Sequence, residues 1–173
     1  MNRSRRSVQA PRTVPPAGTS ADDEVLLGAV QAIELSVRDL YAAAIGAGAG
    51  DDVYVGIRDN HRAYADLLSG LLGRAAPDQR DQQLYDDQLM AFEAGGTDLA
   101  TAAYDLESAL VATHGDLLGQ LVGTDGARAI AAVLMAEARH CAVLADVAGL
   151  GDDFTALFDN DAEPLALAAE GQG

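Results

Sequence analysis

Hydrophobic residues recur at intervals of three and four positions in four long segments of the chain, with polar residues between them. This spacing places the apolar side chains on one face of an α-helix. It predicts four long helices, over residues 21–46, 52–72, 98–122 and 124–148. Residue types that favour helix N-termini precede the first three of these segments, namely Ser20, Asp51 and Thr97.

The connections between the predicted helices differ in length. Short loops join the first helix to the second and the third to the fourth, whereas residues 74–97 form a long connection. This connection includes a short amphipathic helix, "QLYDDQLMAFEAGG". Because short loops make consecutive helices antiparallel neighbours, we predict an all-α protein. Its fold would be an antiparallel four-helix bundle with a long crossover between helices 2 and 3.

The chain divides into three parts around this bundle. Residues 1–20 are predicted to form a flexible basic tail, residues 21–150 the bundle, and residues 151–173 a C-terminal strap and tail. The first part contains paired arginines, as twin-arginine export signals do, but Pro, Thr, Gly and Ser follow them instead of an apolar stretch. We therefore expect the protein to be cytoplasmic.

Composition and charge narrow the classes of partner. A formal net charge of −16 disfavours nucleic acid and anionic membrane surfaces. No apolar run approaches the roughly 20 residues that a membrane span requires. A single cysteine, Cys141, excludes an intramolecular disulfide and a cysteine-rich metal site. A metal ion is compatible with the acidic surface, and a homo-oligomer is left open.

Several ionisable residues fall within the apolar faces when each predicted helix is projected along its axis. Each one alone is typical of a hydrogen-bonded core group or of a misjudged helix rotation. Burying all of them at similar depth is costly unless they share a cation, so the set predicts a metal site. The residues, which include all three histidines of the chain, are Glu34, His61, Glu107, His114, Glu137 and His140.

Four segments resemble the ferritin-like superfamily, in particular the desiccation-related ferritin-like proteins, over about residues 22–150. They are "AIELSVRDLY", "IRDNHRAYADLLSGLLG", "AYDLESALVATHGDLL" and "AEARHCAVL", and the last contains a Glu-x-x-His motif. The resemblance implies a ferritin-like bundle with a carboxylate and histidine site for iron or manganese. Its ligand pattern has a Glu on helices 1 and 3 and Glu-x-x-His on helices 2 and 4. The positions that match it are Glu34, His61, Glu107, Glu137 and His140.

One position departs from that pattern. The second helix has Arg58 where the resemblance implies a metal-bridging glutamate. A guanidinium cannot bind a metal, and its positive charge repels a second cation. We therefore expect Arg58 to pair with Glu34 or Glu137, so that the site holds one metal ion or none.

Two functions are compatible with these observations. The first is a ferritin-like protein that binds iron or manganese at a site altered by Arg58. The second is a metal-free bundle with a structural, protective or interaction role. The sequence identifies no substrate and leaves open whether the protein is an enzyme. In the first function, the candidate ligands that Arg58 affects least are Glu107, Glu137 and His140, to which Glu34, His61 and His114 can be added.

Overall fold

The computed structural model of the protein describes residues 19–167. The predicted N-terminal tail, residues 1–20, lies outside this part except for its last two residues. Within residues 19–167 the regular structure is entirely helical, without strands. The helices are α1 (Ala21–Gly46), α2 (Asp52–Leu72), α3 (Gln82–Glu93), α4 (Gly96–Leu118), α5 (Thr124–Val147) and α6 (Phe154–Phe158), and a short 3-10 helix (Gly73–Ala75) follows α2.

The four long helices form the bundle that the hydrophobic pattern predicts, which confirms the all-α prediction. α1 packs along α2, and α4 packs along α5, as two hairpins. The crossover between the hairpins contains α3, which packs against both α1 and α4. Phe92 of α3 is fully buried and meets the ring of Tyr41 edge-on at 5.2 Å, so the crossover is anchored in the core.

The predicted helix starts agree with the structure except at α4. Ser20 caps α1 and Asp51 caps α2, as expected. The prediction that Thr97 caps the third long helix is wrong, because α4 already begins at Gly96, after Gly95. Gly95 has a φ of 71°, in the left-handed region that glycine adopts without steric cost. This conformation turns the chain from α3 into α4 before Thr97 is reached.

A buried carboxylate ties the α4–α5 loop to the start of α1. Asp23 accepts hydrogen bonds from the backbone N–H groups of Val122 at 3.0 Å and Gly123 at 2.7 Å. These bonds, the one from Val122 foremost, lower the pKa of Asp23 from its ordinary value. The N–H of Val122 is therefore not available to extend α4, which ends at Leu118 rather than at the predicted residue 122.

Two apolar clusters fill the bundle on either side of its middle. On α1, Val30 belongs to one cluster and Val37 to the other, and Glu34 lies between them. On α5, Ile130 and Leu144 are divided between the same two clusters. The middle of the bundle is thus polar although it is enclosed. In keeping with these interruptions, no helix within residues 19–167 has the length and apolar character to cross a membrane.

The segment after α5 lies against α4. The side-chain amide of Asn160 donates a hydrogen bond to the backbone oxygen of Ser108 at 2.9 Å. Further along, the backbone N–H of Leu165 donates to Thr113 Oγ1 at 2.8 Å. These contacts dock the described end of the chain on the bundle.

Candidate metal centre

Six ionisable side chains meet in the polar middle of the bundle, from α1, α2, α4 and α5. Their inward orientation is confirmed, because five have an exposed fraction of 0% and the sixth, His140, has 7%. The structure therefore brings together the five residues predicted as metal ligands, with His114 beside them. The six residues are Glu34, His61, Glu107, His114, Glu137 and His140.

Glu107 accepts hydrogen bonds on both of its oxygens. Oε1 accepts from the Tyr41 hydroxyl and from His61 Nε2, each at 2.9 Å, and Oε2 accepts from His140 Nδ1 at 3.1 Å. Burial raises the pKa of Glu107, but the charge of His61 and the hydrogen bonds from both histidines outweigh burial and lower it. Glu107 is therefore ionised in the interior. We call Tyr41, His61, Glu107 and His140 the Glu107 group.

His61 connects the Glu107 group to α1. Its Nδ1 lies 2.7 Å from Glu34 Oε2, and its Nε2 lies 2.9 Å from Glu107 Oε1. Because the ionised Glu107 only accepts hydrogen bonds, Nε2 donates to it, and when the ring is an imidazolium Nδ1 donates to Glu34 as well. Burial opposes this charge, but the charges of Glu107 and Glu34 outweigh it and raise the pKa of His61 well above its ordinary value.

Glu137 and His114 form a second cluster with Glu34. His114 Nδ1 donates to Glu137 Oε2 at 2.6 Å, and His114 Nε2 lies 3.4 Å from Glu34 Oε1. Burial raises the pKa of Glu137, and the charge of Glu34 adds to the rise, although His114 opposes it. We call Glu34, His114 and Glu137 the Glu137 group.

The two groups differ in how completely their polar atoms are bonded. The carboxylate oxygens and ring nitrogens of the Glu107 group all take part in hydrogen bonds. An unbonded polar atom in the interior is costly, so the Glu137 group has unused capacity to bind a cation. Within residues 19–167, the buried atoms of this group without a hydrogen-bond partner are Glu34 Oε1, His114 Nε2 and Glu137 Oε1.

The centre reaches the surface at His140. The side-chain amide of Asn60, an exposed residue of α2, donates to His140 Nε2 at 2.9 Å. Tyr64 lies on the same edge, with its ring 5.6 Å from that of His61 and 6.3 Å from that of His140. The helical projection missed Asn60 because this residue lies outside the apolar face. Its position directly before His61 is the one signal that could have pointed to it.

Arg58 does not take part in this centre, which corrects the prediction that it pairs with Glu34 or Glu137. Its Nε and Nη2 donate to Asp59 Oδ1 at 3.1 and 2.8 Å. The Arg58 side chain keeps an exposed fraction of 31%. Pairing with Asp59 leaves the guanidinium partly hydrated, whereas a place beside buried carboxylates would require its full desolvation. The side chain that lies between Glu34 and Glu137 is instead the ring of His114.

Two overlapping sets of side chains have the spacing of a metal site. One ligand atom each from His61, Glu107 and His140 lie within 4.8 Å of one another, and so do atoms from Glu34, His61 and Glu137. Ligands about 2.1 Å from a common ion fit within this spacing. Carboxylate oxygen and imidazole nitrogen are also ligand types that iron and manganese accept. The residues present therefore fit a bound transition-metal ion.

Comparison with known proteins agrees with this geometry. The family described as the ferritin-like domain matches residues 22–150. The match includes nearly all of α1, the whole of α2 to α5, and every residue of both groups. No curated protein and no solved structure matches the chain.

Proposed function

Because the chain belongs to the ferritin-like domain family, we propose that the centre of its bundle binds an iron or manganese ion. The proposal is supported by the family match and by the two sets of closely spaced ligand atoms. Within the family, the segments around these residues lead us to propose the desiccation-related branch. The ligands that we assign are Glu34, His61, Glu107, Glu137 and His140, and His61 would release a proton on binding the ion.

The observation that carries this proposal is the incomplete bonding of two buried carboxylates. Among the described residues, one oxygen each of Glu34 and Glu137 finds no hydrogen-bond partner. Both residues have an exposed fraction of 0%. Packing alone gives no reason to keep such oxygens in a core, since each adds a desolvation cost. A divalent ion bound to them offsets that cost.

The assigned residues also define what the chain itself contributes. A bound iron or manganese ion supplies one-electron chemistry. Tyr41 and His140 hold Glu107 in place from two sides. Asn60 in turn holds His140, at the edge of the centre that reaches the surface. Burial of the carboxylates keeps bulk water away from the ligands.

A second candidate function, a metal-free bundle with a structural, protective or interaction role, is favoured by the Glu107 group. The imidazolium of His61 lies between Glu34 and Glu107, so it compensates part of their charge without a metal. A fully hydrogen-bonded group of this kind can stabilise the fold without binding a metal. The two candidates differ in whether the purified protein contains and needs a metal.

Metal analysis decides between the two candidates. We expect protein purified without a His tag or chelator to contain iron or manganese. After the metal is stripped, Mn(II) or anaerobic Fe(II) should raise the melting temperature, because a ligand that binds only the folded state stabilises it. An absence of metal, together with an unchanged melting temperature, would favour the metal-free bundle.

A pair of matched variants on α1 sharpens this experiment. Glu34→Gln removes one assigned ligand and should abolish the rise in melting temperature. Glu24→Gln makes the same chemical change at an exposed position of the same helix and should leave the rise intact. Equal responses of the two variants would show that the ion binds elsewhere.

A further inference from the structure

His114 lies outside the five residues to which the metal is assigned, yet it is equally buried. It lies on α4, about two helical turns after Glu107, and its exposed fraction is 0%. One short hydrogen bond holds its ring, from Nδ1 to Glu137 Oε2 at 2.6 Å. That bond directs the opposite nitrogen, Nε2, towards Glu34.

The bond to Glu137 determines how the ring of His114 can bind. With Glu137 ionised, its Oε2 accepts, so the proton of this bond is on Nδ1 and Nε2 can offer a lone pair. Histidines that bind metals usually have this arrangement, in which the other ring N–H donates to a carboxylate or a carbonyl. Nε2 has no hydrogen-bond partner in the described part of the chain. It is thus a buried, oriented and unbonded nitrogen.

We propose that His114 is an additional metal ligand, which binds through Nε2 together with Glu34 Oε1. This inference rests on the proposed function, since it adds a ligand to the ion assigned there. The two atoms lie 3.4 Å apart, beyond the range of about 2.7–3.2 Å that is typical of an N–H···O hydrogen bond. Two ligands about 2.1 Å from one ion are about 3.4 Å apart at a tetrahedral angle. The separation therefore suits a shared ion better than a shared proton.

Glu137 has two roles in this arrangement. Its Oε2 orients His114, and its Oε1 is a further buried atom without a partner in residues 19–167. Atoms of Glu34, His61 and Glu137 already lie within 4.8 Å of one another. With His114 added to these three residues, this set would bind the ion from all four long helices.

The variant His114→Gln tests this assignment with Mn(II) as the probe. We expect its Mn(II) affinity to fall by at least about tenfold, the lower end of what even the loss of a ligand-orienting residue costs. Pulsed EPR of the Mn(II)-loaded variant should lose the nitrogen coupling of one imidazole. This second readout does not respond to a merely structural role.

Thr113→Val is the matched control. Thr113 precedes His114 on α4 and has an exposed fraction of 2%. Its hydroxyl donates to the backbone oxygen of Ala109 and accepts from Leu165, not from the centre. The control therefore loses a buried polar group next to His114 but should keep the Mn(II) affinity and all nitrogen couplings.

Each remaining outcome overturns a defined statement. If the wild type binds no Mn(II), the proposed function fails, and the assignment of His114 fails with it. If the wild type binds Mn(II) and His114→Gln keeps the same affinity and couplings, only the assignment of His114 is wrong. If the variant binds more ions than the wild type, His114 excludes an ion instead of binding one, which also overturns the assignment.

A measurement on the wild type covers the case in which His114→Gln does not fold. In protein with isotope-labelled histidine, diamagnetic Zn(II) should move the NMR signal of His114 Nε2 to that of a coordinated nitrogen. His114 Nδ1 should keep its proton, since it donates to Glu137. An Nε2 signal that saturating Zn(II) leaves in place overturns the assignment.

Discussion

The Glu107 group and the Glu137 group use the same side-chain chemistry at the same depth, yet they are bonded differently. Glu107 accepts three hydrogen bonds and has a lowered pKa. Within residues 19–167, Glu137 accepts one, from His114, and its pKa is raised by burial. Burial by itself therefore does not decide the charge of an interior carboxylate. The charges and the hydrogen-bond donors around it do.

This difference concerns the state of the two groups before a metal binds. The Glu107 group is a complete hydrogen-bond network that joins residues of α1, α2, α4 and α5 without a metal. The Glu137 group keeps unbonded atoms in the described part of the chain, which a bound cation would satisfy. We expect the stability of the metal-free protein to depend most on the first group, and a change in the second group to affect the response to metal more than the stability.

The largest effect should come from Glu107→Gln. This change removes the charge that pairs with His61, and it places an amide N–H among groups that donate to Glu107. Removal of one partner from a buried pair typically costs about 3–5 kcal/mol. We expect a loss of that size in the free energy of unfolding, measured by urea denaturation of the metal-free protein at neutral pH.

The control for this measurement is again Glu24→Gln, at an exposed position in the first turn of α1. It should change the free energy of unfolding by less than about 1 kcal/mol, the upper range for an exposed charge at a helix end. A Glu107→Gln protein as stable as this control would show that the Glu107 group does not hold the helices together.

A smaller effect, and one that depends on metal, should come from the same change in the Glu137 group. Glu137→Gln keeps an oxygen that can accept the hydrogen bond of His114 Nδ1, and it removes a charge that Glu34 repels. We expect the metal-free protein to lose less than about 1 kcal/mol in the free energy of unfolding. The rise in melting temperature with Mn(II) should be lost. If the metal-free variant is as unstable as Glu107→Gln, the distinction between the two groups is wrong.

The sequence predicted which residues enter the centre but not how they pair. Helical periodicity determines where each Cα–Cβ bond points, which is enough to place short side chains such as Glu34 and His61. It does not determine the torsion angles of a long side chain, so the pattern places Arg58 near the centre although its guanidinium turns to Asp59. Asn60 was missed for a related reason, since it reaches the centre from a polar face.

Helix boundaries could be predicted where they depend on residues close in the sequence, and not where they depend on distant ones. Asp51 caps α2, which ends before Gly73, and both signals act within a few residues, so these boundaries could be predicted. The C-terminal end of α4 could not be predicted in this way. It depends on Asp23, which is far away in the sequence and binds the loop that follows α4. Such a contact leaves no periodic signal in the sequence.

The smallest effect should come from Arg58→Ala, at the position where the family resemblance implies a metal-bridging glutamate. If Arg58 paired with Glu34 or Glu137, its removal would cost about 3–5 kcal/mol, as for any broken buried pair. Its observed partner is Asp59, on a partly exposed surface, and pairs of this kind contribute about 0–1 kcal/mol. We therefore expect a change below about 1 kcal/mol in the free energy of unfolding and an unchanged Mn(II) affinity.

Both readouts are needed for Arg58→Ala, because each tests a different part of the comparison. A large loss of stability would mean that the guanidinium balances the charge of Glu34 and Glu137. A tighter binding of Mn(II) would mean that Arg58 repels the ion even from the surface. A small loss in the free energy of unfolding together with an unchanged Mn(II) affinity would show that Arg58 does not interact with the Glu137 group. The unbonded atoms of that group would then be available to the ion, because the guanidinium does not compete for them.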